Sequence, residues 1–464
     1  MIEQLQAILG TPNVLTGTDT APWARDWTGK YLGAPAAVAR PGSTEDVSAV
    51  MAAAHANGWR VTPVSGNTGL NGGAIAPGEL ILSLDRMRTV RDIRPAARVA
   101  EVEAGVVLAD LHGAVAPHGL IFPMTFGAQG SARIGGMIAT NAGGSNVLRY
   151  GSTRALVLGI EAVMADGRVM SLMSALHKDN TGLDLKNLMI GSEGALGIVT
   201  AATLKLFPKP QAYATATVAA ASLEAALALL TRLQDASDGA VEAFEYMPGR
   251  YIERHVARVA GAREPFDTRH EVNLLVELGA VAPRDTAAGP DGRVPLSALL
   301  EEQLGAALED GLVQDAVVAS SEAQRRQMWE RREASAEITF GPEPIVDTDI
   351  SVPLDRVPDF MGLVQTRVLA FDPGARDLVV GHLGDGNLHY TVYPSDESLG
   401  PRIREIVDDT AVEFGGSFSA EHGIGLSKLG ALRRLKDPVA QDAMRAIKAA
   451  LDPKGILNPG KTIP

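Results

Sequence analysis

The sequence predicts an α+β protein of two lobes, on three observations. The chain has 464 residues, more than one hydrophobic core usually serves, and 46% of them are hydrophobic, enough for packed interiors. Three glycine-rich stretches crowd the first half, around residues 65–73, 122–145 and 190–200. From about residue 209 helical and extended patterns alternate, which fits an α+β domain with an antiparallel sheet.

Composition removes several function classes. A formal charge of −13 lacks the basic excess that a phosphate-binding surface needs, so nucleic acid is not an expected partner. With no cysteine, disulfides, thiolate metal sites, thiol nucleophiles and cysteinyl cofactor links are excluded. The first residues carry Glu3 where a signal peptide needs basic charge, and no apolar run has the length of a membrane span. The expectation is a cytoplasmic protein without a transmembrane segment.

The elements follow in chain order. A short helical pattern opens residues 1–32. Ser43 followed by Thr44, Glu45 and Asp46 marks a helix start, and Gly58 a natural stop. Arg60-Val61-Thr62-Pro63-Val64 reads as extended and feeds Ser65-Gly66-Asn67-Thr68-Gly69-Leu70-Asn71-Gly72-Gly73. That glycine density lets backbone N–H groups converge on an anion such as a pyrophosphate. The pairs Gly135-Gly136 and Gly143-Gly144, set in apolar sequence, mark close backbone approach to a ligand or to another chain segment. With the third stretch, Ile190-Gly191-Ser192-Glu193-Gly194-Ala195-Leu196-Gly197-Ile198-Val199-Thr200, they suggest a long ligand threaded along one region. No Walker A pattern and no strand-embedded G-x-G-x-x-G supports an ordinary triphosphate or Rossmann site.

In the second half, residues 223–230 and 299–312 read as helices, 271–278 and 315–319 as strands, and 283–292 as an exposed loop. The chemistry is expected at Gly381-His382-Leu383-Gly384-Asp385-Gly386-Asn387-Leu388-His389-Tyr390. If Asp385-Gly386 were a two-residue hairpin loop, His382 would face His389 directly across the ladder, and both imidazoles would reach one ion. Glu421 and His422 are adjacent, so a regular strand would turn them to opposite faces, and Gly423 and Gly425 favour an irregular turn instead. Two histidines and one carboxylate make a first shell for zinc or a similar divalent ion, leaving His422 as a base. A metal-dependent hydrolase could use the same set, but it has no need of three glycine-rich loops.

The first loop, the 134–152 stretch and Gly191 to Thr200 resemble the FAD-binding domain of the vanillyl-alcohol oxidase (PCMH-type) flavoproteins. The segments around His382 to His389, Glu421-His422-Gly423 and Leu451-Asp452-Pro453-Lys454-Gly455-Ile456-Leu457-Asn458-Pro459-Gly460-Lys461 resemble the D-2-hydroxyacid dehydrogenase branch. Gly66-Asn67-Thr68-Gly69 and Lys178-Asp179-Asn180-Thr181-Gly182 are most similar to its D-2-hydroxyglutarate members. The resemblance implies an N-terminal helical segment (1–32), a PCMH-type FAD-binding domain (33–208), a cap domain carrying the metal site (209–425) and a C-terminal helical segment returning to the FAD domain (426–464).

It also implies roles residue by residue. Pro63, Ser65, Gly66, Asn67, Thr68, Gly69 and Leu70 would cradle the FAD pyrophosphate. Pro123, Thr125, Gly127, Gly130, Ser131, Gly135 and Gly136 would line the adenosine and isoalloxazine path. Asn141, Gly143, Gly197, Ile198, Val199 and Asn458 would complete the grip. The first loop offers no histidine for a covalent link, so FAD is expected to be held non-covalently. His382, His389 and Glu421 match the divalent-metal ligands, zinc first among them, and His422 the catalytic base. Arg332 and Asn387 match substrate-binding positions. The chain departs from the branch at Ala336 and Asp347, where a hydroxyl and a lysine are expected for a second substrate carboxylate. An acid there disfavours a dicarboxylate and favours a shorter substrate such as D-lactate or glycolate. A small 2-hydroxy acid, an external electron acceptor (an electron-transfer flavoprotein, a cytochrome or a quinone) and a second copy of the chain in a homodimer are the expected partners. A non-catalytic flavin-binding subunit is a further alternative.

Overall fold

The computed structural model describes residues Met1 to Pro464. Two compact units divide it: the first comprises Met1–Gly143, Gly151–Pro208 and Glu421–Pro464, the second Gly144–Tyr150 and Lys209–Ala420.

In the first unit a four-stranded sheet runs in the order Val14–Leu15, Ala37–Ala39, Leu80–Ser83, Val61–Val64. A five-stranded antiparallel sheet runs Val90–Arg94, Val99–Glu103, Ile198–Lys205, Val157–Val163, Val169–Leu172. The helix Thr44–Asn57 starts where the Ser43 side chain accepts the Asp46 N–H and ends at left-handed Gly58 (φ 70°), as its sequence signals. Its Val47, Val50 and Met51 share a buried core with Val61, Leu80 and Leu82 of one sheet and with Val163 and Ile198 of the other. The C-terminus adds to the smaller sheet: Val61 donates to the Ile456 carbonyl and Asn458 donates back to Val61, so Leu457 bridges the strand edge.

The second unit is built on one antiparallel seven-stranded sheet. Its order is Val313–Val318, Ala212–Ala220, Val272–Ala280, Val241–Pro248, Arg376–His382, Asn387–Tyr393, Val346–Ser351. The two faces differ because side chains alternate along each strand. Phe244, Tyr246, Leu274, Val276, Val379, Leu388 and Tyr390 share a buried core with the helices Leu223–Ala236, Pro295–Glu309, Val357–Phe371 and Gly400–Glu413. Each fully buried Leu, Val or Phe there contributes about 1.5–3 kcal/mol. The alternate residues, among them Glu245, Glu277, His382, His389 and Asp349, belong to the opposite face. Its apolar part, Ala243, Met247, Leu275, Leu378 and Val380, packs with Tyr251 and Ile252 of the helix Gly249–Arg258 and with Met328 and Ile338.

Several boundaries differ from the sequence expectation. The helix expected over 299–312 begins at Pro295, which suits the first helical position because it lacks an N–H, and ends at Glu309. The expected loop 283–292 contains a helical turn, Pro283–Thr286. Gly135 and Gly136 lie inside a helix, Ile134–Thr140, rather than in a loop. Gly144–Tyr150 joins the second unit because the Glu242 carboxylate accepts hydrogen bonds from Arg149 (2.7 Å) and the Tyr150 hydroxyl (2.6 Å). Residues 421–425, expected in the cap, belong to the first unit, since Asn71 and Glu193 bond their backbone.

Candidate active site

The histidine hairpin corrects the expected register. His382 pairs with Asn387, Gly381 with Leu388 and Val380 with His389. The connection is therefore residues 383–386, with Asp385 donating to the His382 carbonyl (3.2 Å), the Asp385 side chain accepting the Asn387 N–H (3.1 Å), and Gly386 at φ 78°. Asp385-Gly386 does turn the chain, but as the second half of a four-residue loop. The slip from direct pairing is two residues, and an even slip keeps every side chain on its face. His382 and His389 become diagonal neighbours, their ring centroids 5.5 Å apart, with one ring nitrogen of each within 4.8 Å of the other.

Glu245 was not foreseen. It lies opposite His382 on the neighbouring strand, is wholly buried, and meets the His382 Nδ1 at 2.9 Å. A carboxylate on Nδ1 fixes the tautomer and leaves Nε2 as the donor for a metal. Burial opposes the charge of Glu245, yet His382 and Arg332 beside it hold its pKa below the ordinary carboxylate value. Arg332, buried in the helix Glu322–Glu333, brings Nη2 to 2.8 Å from Glu245, a charge contact outside hydrogen-bond geometry. Its Nε has no hydrogen-bond partner, which suits a guanidinium that still has a donor to offer an anion. The sequence signal for Glu245 was an acid within the apolar strand Val241–Pro248, since buried charge in a core strand needs a partner.

On the edge strand, Asp349 pairs with His389, and a carboxylate oxygen of Asp349 lies within 4.8 Å of a His389 ring nitrogen. Asn387 donates through Nδ2 to Asp349 (3.1 Å) and to the Ile350 carbonyl (2.9 Å), so it orients Asp349 while its own Oδ1 lacks a hydrogen-bond partner. Asp347, two residues from Asp349 on the same face, accepts from the Thr391 hydroxyl (3.1 Å). The donor set of two imidazoles, one with its tautomer fixed by a carboxylate, fits a zinc-type ion.

In the first unit the glycine-rich stretches converge. A Cβ on Gly136 would lie 3.4 Å from the Ser65 Cβ, and one on Gly66 2.7 Å from the Ser131 carbonyl. Glu193 and Gly191 donate to the Ala139 and Ile138 carbonyls. Gly69, Gly127 and Gly130 have no atom within 4 Å of a Cβ position, an exposed backbone that fits the approach of a long cofactor. Gly66, Gly135 and Gly197 are instead tight against protein, Gly135 against Ala104 and Gly197 against Met189, so close packing accounts for them. Asn67 and Asn141 hold left-handed backbone (φ 52° and 53°), and Asn141 accepts from the Arg154 N–H and the Ser152 hydroxyl. Pro63 closes against Gly194, and Ile198 and Val199 open a buried strand. Thr68 and Leu70 are half-buried within the first loop, Pro123 is buried, and Thr125 is half-buried. Asn458 donates to the carbonyls of Gly73 (3.2 Å) and Glu193 (2.7 Å), joining the first and third stretches. Gly143 has no side chain because the Glu421 carboxylate occupies that space.

Comparison with known proteins shows the family. Residues 209–462 match the FAD linked oxidases, C-terminal domain, and residues 35–173 match the FAD binding domain. The chain is 37% identical to a D-2-hydroxyglutarate dehydrogenase of Xanthomonas citri pv. viticola, over 96% of this chain and 92% of that protein. It is 37% identical to the mitochondrial D-2-hydroxyglutarate dehydrogenase of Bos taurus, over 95% of this chain and 79% of that one. For a D-2-hydroxyglutarate dehydrogenase of Stutzerimonas stutzeri the identity is 33%, over 99% and 98%. Among solved structures, p-cresol methylhydroxylase with substrate bound aligns over 99% of this chain and 96% of its own, with TM-score 0.73 and 17% identity. Alkyldihydroxyacetonephosphate synthase aligns over 99% and 84%, with TM-score 0.72 and 15% identity, a likeness of fold. The chain therefore belongs to the FAD-linked oxidases of the vanillyl-alcohol oxidase fold, in the D-2-hydroxyacid dehydrogenase branch, and is an FAD-dependent oxidoreductase.

Proposed function

We propose that this protein oxidises a D-2-hydroxy acid, D-2-hydroxyglutarate in the first instance, to the corresponding 2-keto acid. The observation that carries the reading is the diagonal histidine pair with Glu245 on the Nδ1 of His382, a ligand geometry prepared on a rigid sheet. The names of the relatives support the substrate. FAD, expected to be held non-covalently, would supply the redox chemistry as the acceptor of a hydride from the substrate. By sequence resemblance His382, His389 and Glu421 would hold a divalent ion, zinc first, which when bound would lower the pKa of a coordinated hydroxyl. His422 takes the α-hydroxyl proton on a ring nitrogen, so loss of one proton and one hydride leaves the keto acid. Arg332 binds the substrate carboxylate through its Nε–H, which has no hydrogen-bond partner, and Asn387 keeps Asp349 turned toward His389.

Asp347 favours a second reading, a shorter acid such as D-lactate. It carries its charge on the same strand face as Asp349, where a second substrate carboxylate would be repelled. Turnover with an artificial electron acceptor, measured for D-2-hydroxyglutarate and D-lactate before and after chelation, tests both readings. Activity that EDTA removes and zinc restores is the expected result. Indifference to chelation would make His382 and His389 structural, and a preference for D-lactate would select the second reading.

A further inference from the structure

Residues 421–425 carry the proposed third metal ligand and the proposed base, yet they lie in neither helix nor strand. A catalytic group on such a segment needs another source of order, and two side chains of the same unit supply it. The Nδ2 of Asn71 donates to the carbonyls of His422 (2.9 Å) and Gly423 (2.8 Å). The Asn71 carbonyl accepts from the N–H of Leu426 (2.8 Å) and Ser427 (3.2 Å), and its Oδ1 accepts from the Ser427 hydroxyl (2.8 Å). Glu193 spreads its carboxylate over the next two amides, Oε1 on Ile424 (2.5 Å) and Oε2 on Gly425 (2.8 Å), and accepts the Thr462 hydroxyl as well.

The fit admits no side chain on either glycine. A Cβ on Gly423 would collide with Glu193 Oε1 and one on Gly425 with the Asn71 carbonyl, and both glycines have left-handed backbone (φ 72° and 52°). The location of the two clamps gives them meaning beyond packing. Asn71 directly follows the 63–70 loop, and Glu193 lies in the third glycine-rich stretch with left-handed backbone of its own (φ 49°). Asn458 ties these two stretches to each other.

We propose that Asn71 and Glu193 are positioning residues that hold the His422 backbone in register and make its order depend on the two glycine-rich loops that receive FAD. Cofactor binding and proton transfer are thereby coupled through about one turn of irregular chain. The proposal rests on the reading of His422 as the base. Misplacing a reacting group by about 1 Å can cost roughly 100-fold in rate, so losing either clamp slows the chemical step even when the protein is saturated with FAD.

The test uses the full chain loaded with FAD, as wild type, Asn71→Ala, Glu193→Ala, Glu193→Gln and His422→Asn. The anaerobic rate of flavin reduction is followed against D-2-hydroxyglutarate concentration, with FAD affinity measured separately by fluorescence. At saturating FAD the limiting rate is expected to fall roughly 10- to 100-fold in both alanine variants, with the half-saturating substrate concentration unchanged, and FAD affinity is expected to weaken because the coupling is reciprocal. Glu193→Gln, which keeps one carbonyl acceptor, recovers part of the loss. Amide hydrogen exchange of residues 422–427 gives a readout independent of turnover. FAD should increase protection there in the wild type and fail to do so in Asn71→Ala. Wild-type limiting rates in both alanine variants beside an inactive His422→Asn would overturn the proposal, as would exchange indifferent to FAD. An active His422→Asn would instead overturn the base assignment, while the exchange result still decides the coupling.

Discussion

The two segments that bear the candidate catalytic histidines are positioned by opposite means. The hairpin places the backbone of His382 and His389 by sheet register, so their spacing follows from pairing across Val379, Val380 and Gly381, with Glu245 orienting the His382 ring. The 421–425 segment has no ladder, and its backbone is held instead by the side chains of Asn71 and Glu193. Register is robust to single substitutions because many backbone bonds share it. A side-chain clamp concentrates the same task in two residues, and the clamped segment can in turn respond to whatever binds beside those residues.

The comparison can be broken most severely at His422. Replacement by Asn should lower the limiting rate of flavin reduction by about 10²–10⁴-fold while FAD stays bound, as removal of a general base does. Undiminished reduction in a rapid-mixing experiment would remove the clamped segment from the chemistry. The next effect concerns the buried support of the clamp. Lys461 donates to the Asn458 side chain (2.8 Å) and to the Thr62 hydroxyl (3.1 Å). Burial depresses its pKa to about 8 from 10.5, against an opposing pull from Glu79. Below pH 8 the ammonium is charged in both states and its burial is unfavourable. Between about 8 and 10.5 the unfolded chain binds a proton that the folded chain does not, so stability rises with pH, by up to roughly 3 kcal/mol over that window. Urea unfolding at several pH values should show this rise in the wild type and a smaller one in Lys461→Met; identical slopes would contradict it.

On the hairpin side, Glu245→Gln should weaken zinc affinity about 10- to 100-fold, read by competition with a chromogenic chelator, because the neutral amide no longer fixes His382 or balances Arg332. Unchanged affinity would mean that register alone sets the ligand.

The same contrast explains what could be read in advance. The helix from Ser43 to Gly58 was legible because cap and stop signals are local. The shared face of His382 and His389 was legible although the register was not, since the period of two survives an even slip and only the four-residue turn, set by the Asp385 side chain, was missed. The glycine pairs announced close approach without saying to what, and at Gly135 it is Ala104. Asn71 and Glu193 left no pattern at all: their partners lie hundreds of residues away in the chain, and no periodicity reports a bond between a side chain and a remote backbone. The same distance hid the placement of residues 421–425 in the first unit. Glu245 stands between these cases, because an acid in an apolar strand signals a partner without naming it.

The central claim, stereospecific oxidation of a D-2-hydroxy acid by flavin, is tested most directly by anaerobic addition of D- and L-2-hydroxyglutarate to the FAD-loaded protein while the visible flavin absorbance is recorded. The account predicts bleaching by the D enantiomer and none by the L. Bleaching by both, or by no acid of a panel that also includes D-lactate and the achiral glycolate, would contradict it.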